Sequence, residues 1–312
     1  MKPKIVFLDQ YSLGGADFSA IRALGDYTGY ETTRSEELLD RCREADVAIT
    51  NKVPFDRETM QQLPQLRMIC VAGTGMNHID LEAAAEVGIT VKNAVGYSTH
   101  AVAETTIGAA IGLMRRIGYY DRYVKTEYAG AARQFHFGCT TYQLHGKTWG
   151  IIGLGNIGHA VGRVAEALGC RVVYTSVSGV ARQEPYPALP LDELLAQSDV
   201  VSIHAPLTPR TRGLIGAREL SLMKPSALLI NVARGGIVDE AALAAALDAG
   251  KLAGAGLDVF EHEPLEVGNP LLAVREPDRL LLSPHNAWSP VEAVEVLVDC
   301  IVRNIREYIE RH

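Results

Sequence analysis

The sequence is without any apolar run approaching the roughly 20 residues that span a bilayer, and the apolar stretch of its first residues, MKPKIVFLDQ, is too short for the core of a signal peptide. Both absences point to the cytoplasm. There is no cysteine framework either. Cys42, Cys70, Cys139, Cys170 and Cys300 are odd in number and scattered, with no CxxC pair and no histidine at metal-ligand spacing. That pattern argues against a disulfide scaffold or a zinc site and for reduced, packed thiols, with no metal expected. Surplus positive charge is also missing: the net charge is -7, so no basic field draws the chain to nucleic acid or anionic lipid. No Ser, Gln or Pro tract suggests disorder, and with 47% apolar and 21% charged residues the whole chain is expected to fold. Its 312 residues exceed the usual size of one domain and suffice for two cores.

What is present is a repeated strand and helix rhythm. KIVFLD (4 to 9), DVAIT (46 to 50), RMICVAG (67 to 73) and ITVKN (89 to 93) are short apolar runs with helical stretches between them, a βαβ pattern. From Ser98 the rhythm changes to STHAVAETTIGAAIGLMRRI, one long helix rich in Ala and Gly, read equally as a connector between domains or as a subunit contact. Residues 118 to 145 read as irregular. A second series begins at Lys147, with strands expected at 149 to 152, RVVYT (171 to 175), DVVSIHA (199 to 205), ALLINVA (227 to 233), AGLDVF (255 to 260) and RLLLSPH (279 to 285). Near-continuous apolar runs suit parallel sheets covered on both faces. A final amphipathic helix follows His285 and is expected to return to the first domain. The fold class is therefore α/β.

The clearest local motif is Gly153-Leu154-Gly155-Asn156-Ile157-Gly158, placed between an apolar strand and the helical pattern HAVGRVAEALG. Gly153 permits a tight turn, Gly155 lets backbone N–H groups approach a pyrophosphate, and Gly158 allows helix and strand to pack closely with the helix N-terminus facing the anion. The same glycines would also suit a glycine-rich turn in another α/β protein or a methyltransferase-type loop; the strand, helix and next strand in register favour a dinucleotide. About 20 residues on, where an NAD enzyme usually carries an acid for the ribose hydroxyls, the sequence has Tyr174-Thr175-Ser176-Val177-Ser178. Nothing there repels a 2′-phosphate, and Thr175, Ser176 and Ser178 carry hydroxyls that can donate to one, with Arg182 the nearest cation along the chain. NAD(P) is the expected cofactor, with NADP tolerated or preferred.

Three further clusters fall at expected carboxyl ends of strands, where open α/β sheets place ligands: Asn231-Val232-Ala233-Arg234-Gly235-Gly236, Glu261-His262-Glu263-Pro264 and Ser283-Pro284-His285-Asn286. Reducing a keto acid requires a cation for the carboxylate, an acid for the carbonyl oxygen and a carboxylate that keeps this acid charged. Arg234, His285 and Glu263 are of those types. Taken singly, an Arg in a surface ion pair or a structural His is as good an account, and His262, His204 and His100 are weaker rivals for the acid.

Taken together, GLGNIG, HAPLTPRTRGLI, NVARGGIVDEAAL, GAGLDVFEHEPL and LSPHNAW resemble, in order and spacing, the D-isomer-specific 2-hydroxyacid dehydrogenase family over roughly residues 46 to 300. The resemblance implies two doubly wound parallel-sheet domains: a Rossmann cofactor domain, 99-286, inserted into a flavodoxin-like substrate domain formed by 1-98 plus 287-312. It implies a homodimer with the 98 to 117 helix near the contact. Carried across by residue, Arg234 is the substrate-carboxylate arginine, Glu263 the partner acid and His285 the proton donor. Asp258 matches the position beside the nicotinamide, His204, Ala205 and Pro206 the loop along the cofactor, with Val232 and Ala233 ahead of Arg234 also on the cofactor side. Gly73, Thr74 and Gly75 match the loop whose N–H groups meet the substrate carboxylate.

Within the family, Thr50-Asn51-Lys52-Val53, Gly96-Tyr97-Ser98-Thr99 with Val102-Ala103-Glu104, and Trp288 most resemble the glycerate dehydrogenases, or hydroxypyruvate reductases. This implies hydroxypyruvate or glyoxylate as the small 2-keto acid and adds Lys52 to the substrate contacts. Met76, His78 and His100 depart from that subgroup near the expected substrate mouth. A phosphite dehydrogenase resembles the same family, and so does a dinucleotide-binding corepressor, the alternative outside enzymes; the absence of basic or disordered extensions speaks against the latter.

Overall fold

A computed structural model describes residues 2–179 and 183–311; Arg182 lies outside them. The chain divides into two compact units, Met1–Ser98 with Trp288–His312, and Thr99–Ala287.

The first unit is a five-stranded sheet, β1 (Lys4–Phe7), β2 (Asp26–Gly29), β3 (Val47–Thr50), β4 (Met68–Val71) and β5 (Thr90–Asn93), in the order β2-β1-β3-β4-β5. All its pairings are parallel. β3 and β4 are buried along their whole length, because helices cover both faces; the polar Thr50 at the end of β3 is satisfied by hydrogen bonds with the Val53 backbone. One face packs Ile5, Phe7, Ile49 and Met68 against Leu297, Ile301 and Ile305 of the closing helix, Val291–Ile309. The other packs Val6, Ala48 and Ile69 against Leu38, Met60 and Ala83. β2 escapes the apolar-run reading. Its sequence DYTG is mostly exposed at the sheet edge, and it is a strand because its backbone pairs with β1 in the register Lys4↔Asp26 to Phe7↔Gly29.

The second unit is a six-stranded parallel sheet built from β6 (Thr148–Ile152), β7 (Arg171–Thr175), β8 (Val200–Ile203), β9 (Leu228–Asn231), β10 (Gly254–Leu257) and β11 (Leu280–Leu282), in the order β11-β10-β9-β8-β6-β7. The α/β class with two parallel sheets is as expected. The long helix forms over Thr99–Arg115, and its buried residues, Ala103, Ile107, Ala110 and Leu113 among them, face its own unit. Close approach of this helix to β10 depends on a missing side chain: a Cβ on Gly256 would lie 3.2 Å from the Ala109 Cβ. The stretch expected to be irregular contains a further helix, Ile117–Thr126. No residue of it is buried. Among the described residues, no helix is long and apolar enough to cross a membrane.

Candidate active site

In the second sheet the winding reverses at β6, so the turn after β6 and the loop after β8 flank one crevice at the strand ends. They touch there. Gly153 has φ +90°, and a Cβ on it would stand 2.9 Å from the His204 carbonyl oxygen, so glycine is required both by backbone angle and by space. A Cβ on Gly158 would strike the Gly153 carbonyl oxygen at 2.5 Å. Over Gly155, by contrast, nothing lies within 4 Å, which leaves backbone open to a ligand. Asn156 and Ile157 begin the helix Asn156–Ala167, whose N-terminus has no side-chain cap, so its first N–H groups remain available to an anion.

Thr175 is buried and its carbonyl accepts the Gly153 N–H at 3.0 Å, while Ser176 and Ser178 are exposed beyond it. The hydroxyls facing outward are therefore those of the serines. Across the crevice, Ala205 is buried and Pro206 exposed. His204 Nε2 lies 3.0 Å from Ser202 Oγ, which accepts the Trp149 indole N–H at 2.9 Å. Part of His204 reaches solvent, but its Nδ1 is enclosed with no hydrogen-bond partner, and burial pushes the imidazole down to about 3. An open glycine turn, an uncapped helix start and an enclosed, unpartnered ring nitrogen fit a dinucleotide.

Three neighbouring strands, β9, β10 and β11, end in the other clusters. After β9, the Asn231 side chain folds the turn: its Nδ2 donates to the Arg234 carbonyl at 3.0 Å and its Oδ1 accepts from the Ala233 N–H at 3.1 Å. Val232 is buried, and Ala233 and Arg234 are half-buried. The Arg234 guanidinium donates to the Ala233 carbonyl and, among the described residues, forms no ion pair. A Cβ on Gly235 would fall 1.8 Å from the Phe260 carbonyl oxygen. Only glycine lets the arginine turn press against the loop that carries Glu263.

Glu263 is held at both oxygens. Oε1 accepts the Phe260 N–H at 3.0 Å, and Oε2 meets His285 Nδ1 at 2.7 Å, with the side chains 33% and 24% exposed. An ionised carboxylate only accepts, so Nδ1 donates. His285 has φ 52°, a left-handed conformation that costs a side-chain-bearing residue about 1–2 kcal/mol. Asp258 offsets this. It is 2% exposed, and its carboxylate accepts Ser283 Oγ–H at 2.6 Å and the Asn286 and Ala287 N–H groups at 3.0 Å each. Sequence reasoning placed Asp258 beside the cofactor and missed this grip on the His285 turn; it named Asn231 and Gly235 within the Arg234 cluster but not the hydrogen bonds of the one or the contact of the other with Phe260. His262 is exposed, off the strand ends.

In the first unit the sheet reverses between β1 and β3. There the buried Asp9 accepts the Asn51 N–H at 2.9 and 3.1 Å and the Lys52 N–H at 2.7 Å. Burial raises this carboxyl above its usual range, against the opposing amide donors. Gly73, Thr74 and Gly75 form the neighbouring turn. Thr74 Oγ1 donates to the Ala94 carbonyl at 2.9 Å, and a Cβ on Gly73 would sit 3.3 Å from Asn51 Oδ1. His78 is half-buried with Nε2 enclosed and unpartnered, its pKa lowered by burial and then by the Lys52 charge. Asp9 was not singled out from sequence, although an acid directly after an apolar strand was the available signal.

Known proteins similar to this chain place it in a family. Residues 107–287 match the model of the D-isomer specific 2-hydroxyacid dehydrogenase, NAD binding domain. A glycerate dehydrogenase of Methylorubrum extorquens is 41% identical over 99% of this chain and 97% of its own length. A hydroxypyruvate reductase of Blautia hydrogenotrophica is 36% identical over 98% and 97%. An acyclic imino acid reductase (Bsp5), solved in complex with NADPH and D-Arg, superposes with a TM-score of 0.88 at 27% identity, covering 99% of this chain and 97% of that one. The chain is thus an oxidoreductase that uses a nicotinamide dinucleotide, and it belongs to the D-isomer-specific 2-hydroxyacid dehydrogenase family.

Proposed function

We propose that the protein reduces a small 2-keto acid, hydroxypyruvate or glyoxylate, to D-glycerate or glycolate. The observation that carries this reading is the 2.7 Å contact of His285 with Glu263 on strands adjoining the Arg234 turn. Relatives named glycerate dehydrogenase, hydroxypyruvate reductase and glyoxylate reductase support the substrate. The nicotinamide dinucleotide supplies the hydride when bound. Glu263 holds Nδ1 of His285, which leaves Nε2 to give a proton to the carbonyl oxygen. Arg234 takes the substrate carboxylate through its planar fork. On the first unit, the substrate unit in this reading, Gly73, Thr74 and Gly75 supply N–H donors and Lys52 a cation. Gly153, Gly155, Asn156, Ile157, Gly158, Thr175, Ser176, His204, Ala205, Pro206, Val232, Ala233 and Asp258 are the cofactor side, with NADP accepted as well as NAD.

A homodimer is part of the same reading. The helix Thr99–Arg115 turns its apolar face to its own sheet, so the contact is assigned to the segment after it, where Phe135 and Phe137 are 68% and 89% exposed. The cytoplasm is favoured by five unbridged cysteines, four of them buried. The test is loss of nicotinamide absorbance with hydroxypyruvate, glyoxylate, pyruvate and a bulky aromatic keto acid, each with NADPH and NADH. Turnover is expected to be fastest with hydroxypyruvate or glyoxylate; no turnover with any pair, despite measurable cofactor binding, contradicts the proposal.

A further inference from the structure

Beyond the glycine turn, the second unit presents a cation that the sequence order conceals. β7 is the edge strand beside β6, and it ends in Thr175-Ser176-Val177-Ser178-Gly179 with no carboxylate. Ser176 Oγ and Ser178 Oγ are exposed and 3.2 Å apart. From the loop after β8, Arg210 reaches this segment: its Nη1 is 3.4 Å from the Ser178 carbonyl oxygen and 3.3 Å from where a Cβ on Gly179 would be.

The loop that carries Arg210 is built to hold it. Thr211, 1% exposed, donates through Oγ1 to the Pro206 carbonyl at 2.7 Å and accepts the Thr208 N–H at 2.8 Å. Arg210 stands at the exposed tip of this fixed turn and, among the described residues, pairs with no carboxylate. Arg218, a short distance along the chain, behaves differently, with both Asp192 and Glu219 bound to it. A guanidinium left without an anion, beside two hydroxyls, at the strand end where a Rossmann sheet meets the adenosine ribose, has the makings of a phosphate subsite.

We propose that Arg210, with the hydroxyls of Ser176 and Ser178, binds the 2′-phosphate of a nicotinamide dinucleotide phosphate. The inference rests on the dinucleotide reading of the glycine turn and assigns the cation to a residue 34 positions beyond Ser176 in the sequence (210 − 176). The guanidinium fork meets two phosphate oxygens and the serine hydroxyls donate to the rest. Because the phosphate is dianionic near neutrality, the contact weakens as salt rises.

Calorimetric titration of the full chain with 2′,5′-ADP, 5′-AMP and NADH tests this. The unaltered protein should bind 2′,5′-ADP more tightly than 5′-AMP. Arg210→Gln should reduce 2′,5′-ADP affinity about tenfold or more beyond any change for 5′-AMP, the scale of losing charge-assisted hydrogen bonds. Ser176→Asp, which adds a negative charge but leaves Arg210, should weaken 2′,5′-ADP likewise, and Arg210→Lys should recover part of the loss. Equal affinity for the two nucleotides in the unaltered protein, with NADH bound, overturns the subsite and leaves the dinucleotide reading intact, as does an Arg210→Gln protein that keeps its preference for 2′,5′-ADP. Failure to bind NADH or either nucleotide overturns both.

Discussion

Each of the two sheets has a buried aspartate just past a strand end, Asp9 after β1 and Asp258 after β10, and each spends its carboxylate on the backbone of another loop. Asp9 accepts from the Asn51 and Lys52 amides, and Asp258 from the Asn286 and Ala287 amides and the Ser283 hydroxyl. Both join loops distant in sequence, and both loops carry a candidate site residue, Lys52 or His285. The difference lies in what is fixed. Asp258 secures a residue in a left-handed conformation whose side chain is then gripped by Glu263, so backbone and ring are both determined. Asp9 accepts from backbone amides, and Lys52 is exposed. An imidazole that must deliver a proton along one line needs its orientation set, whereas an ammonium acting as a point charge tolerates a looser mount.

Four changes break or sharpen this contrast. The largest effect belongs to the ring itself: His285→Ala should lower kcat by about 10²- to 10⁴-fold while NADPH still binds, read by steady-state kinetics and a fluorescence titration; unchanged kcat removes His285 from the reaction. Next is Asp258→Asn, which keeps the shape but loses the charge-assisted grip on the turn. A misplaced imidazole should cost kcat up to about 10²-fold with KM little altered, and a change confined to KM contradicts a positioning role for Asp258.

Asp9→Asn should act on the other side of the ratio, raising the KM for the keto acid by roughly tenfold and affecting kcat less. If it instead lowers kcat as Asp258→Asn does, the two aspartates are equivalent and the contrast fails. The smallest effect concerns stability. Burial depresses His204 from 6.5 to about 3. Above 6.5 neither the folded nor the unfolded chain protonates this group; between 6.5 and about 3 only the unfolded chain does, so stability present above 6.5 is lost as pH falls toward 3. The Tm of His204→Asn should fall less steeply with acidification than that of the unaltered protein, and parallel curves contradict the assignment.

The sequence makes legible whatever is carried by neighbours along the chain. β3, β4 and β8 are near-continuous apolar runs, and the glycine turn has its strand and helix on either side. β2 and the helix Ile117–Thr126 are not legible, because one owes its existence to backbone pairing with β1 and the other buries no side chain. The candidate site divides likewise. Arg234, Glu263 and His285 stand in short recognisable clusters, but the need for Gly235 appears only when Phe260 lies against it. Asp9 and Asp258 act across 42 and 28 residues of sequence at their amide contacts with Asn51 and Asn286. Arg210 was hidden for the same reason, reaching back 32 residues to Ser178. Arg182 is closer to those serines in sequence.

The pairing of His285 with Glu263 is the centre of the account, and a double-mutant cycle on kcat with hydroxypyruvate and NADPH tests it most directly. If the carboxylate acts through the ring, Glu263→Gln should lower kcat by about tenfold or more in the unaltered protein and have almost no effect once His285 is Ala, so that the double variant is as fast as His285→Ala alone. Losses that multiply in the double variant would mean that the two residues act independently, and would contradict a proton donor held by its carboxylate.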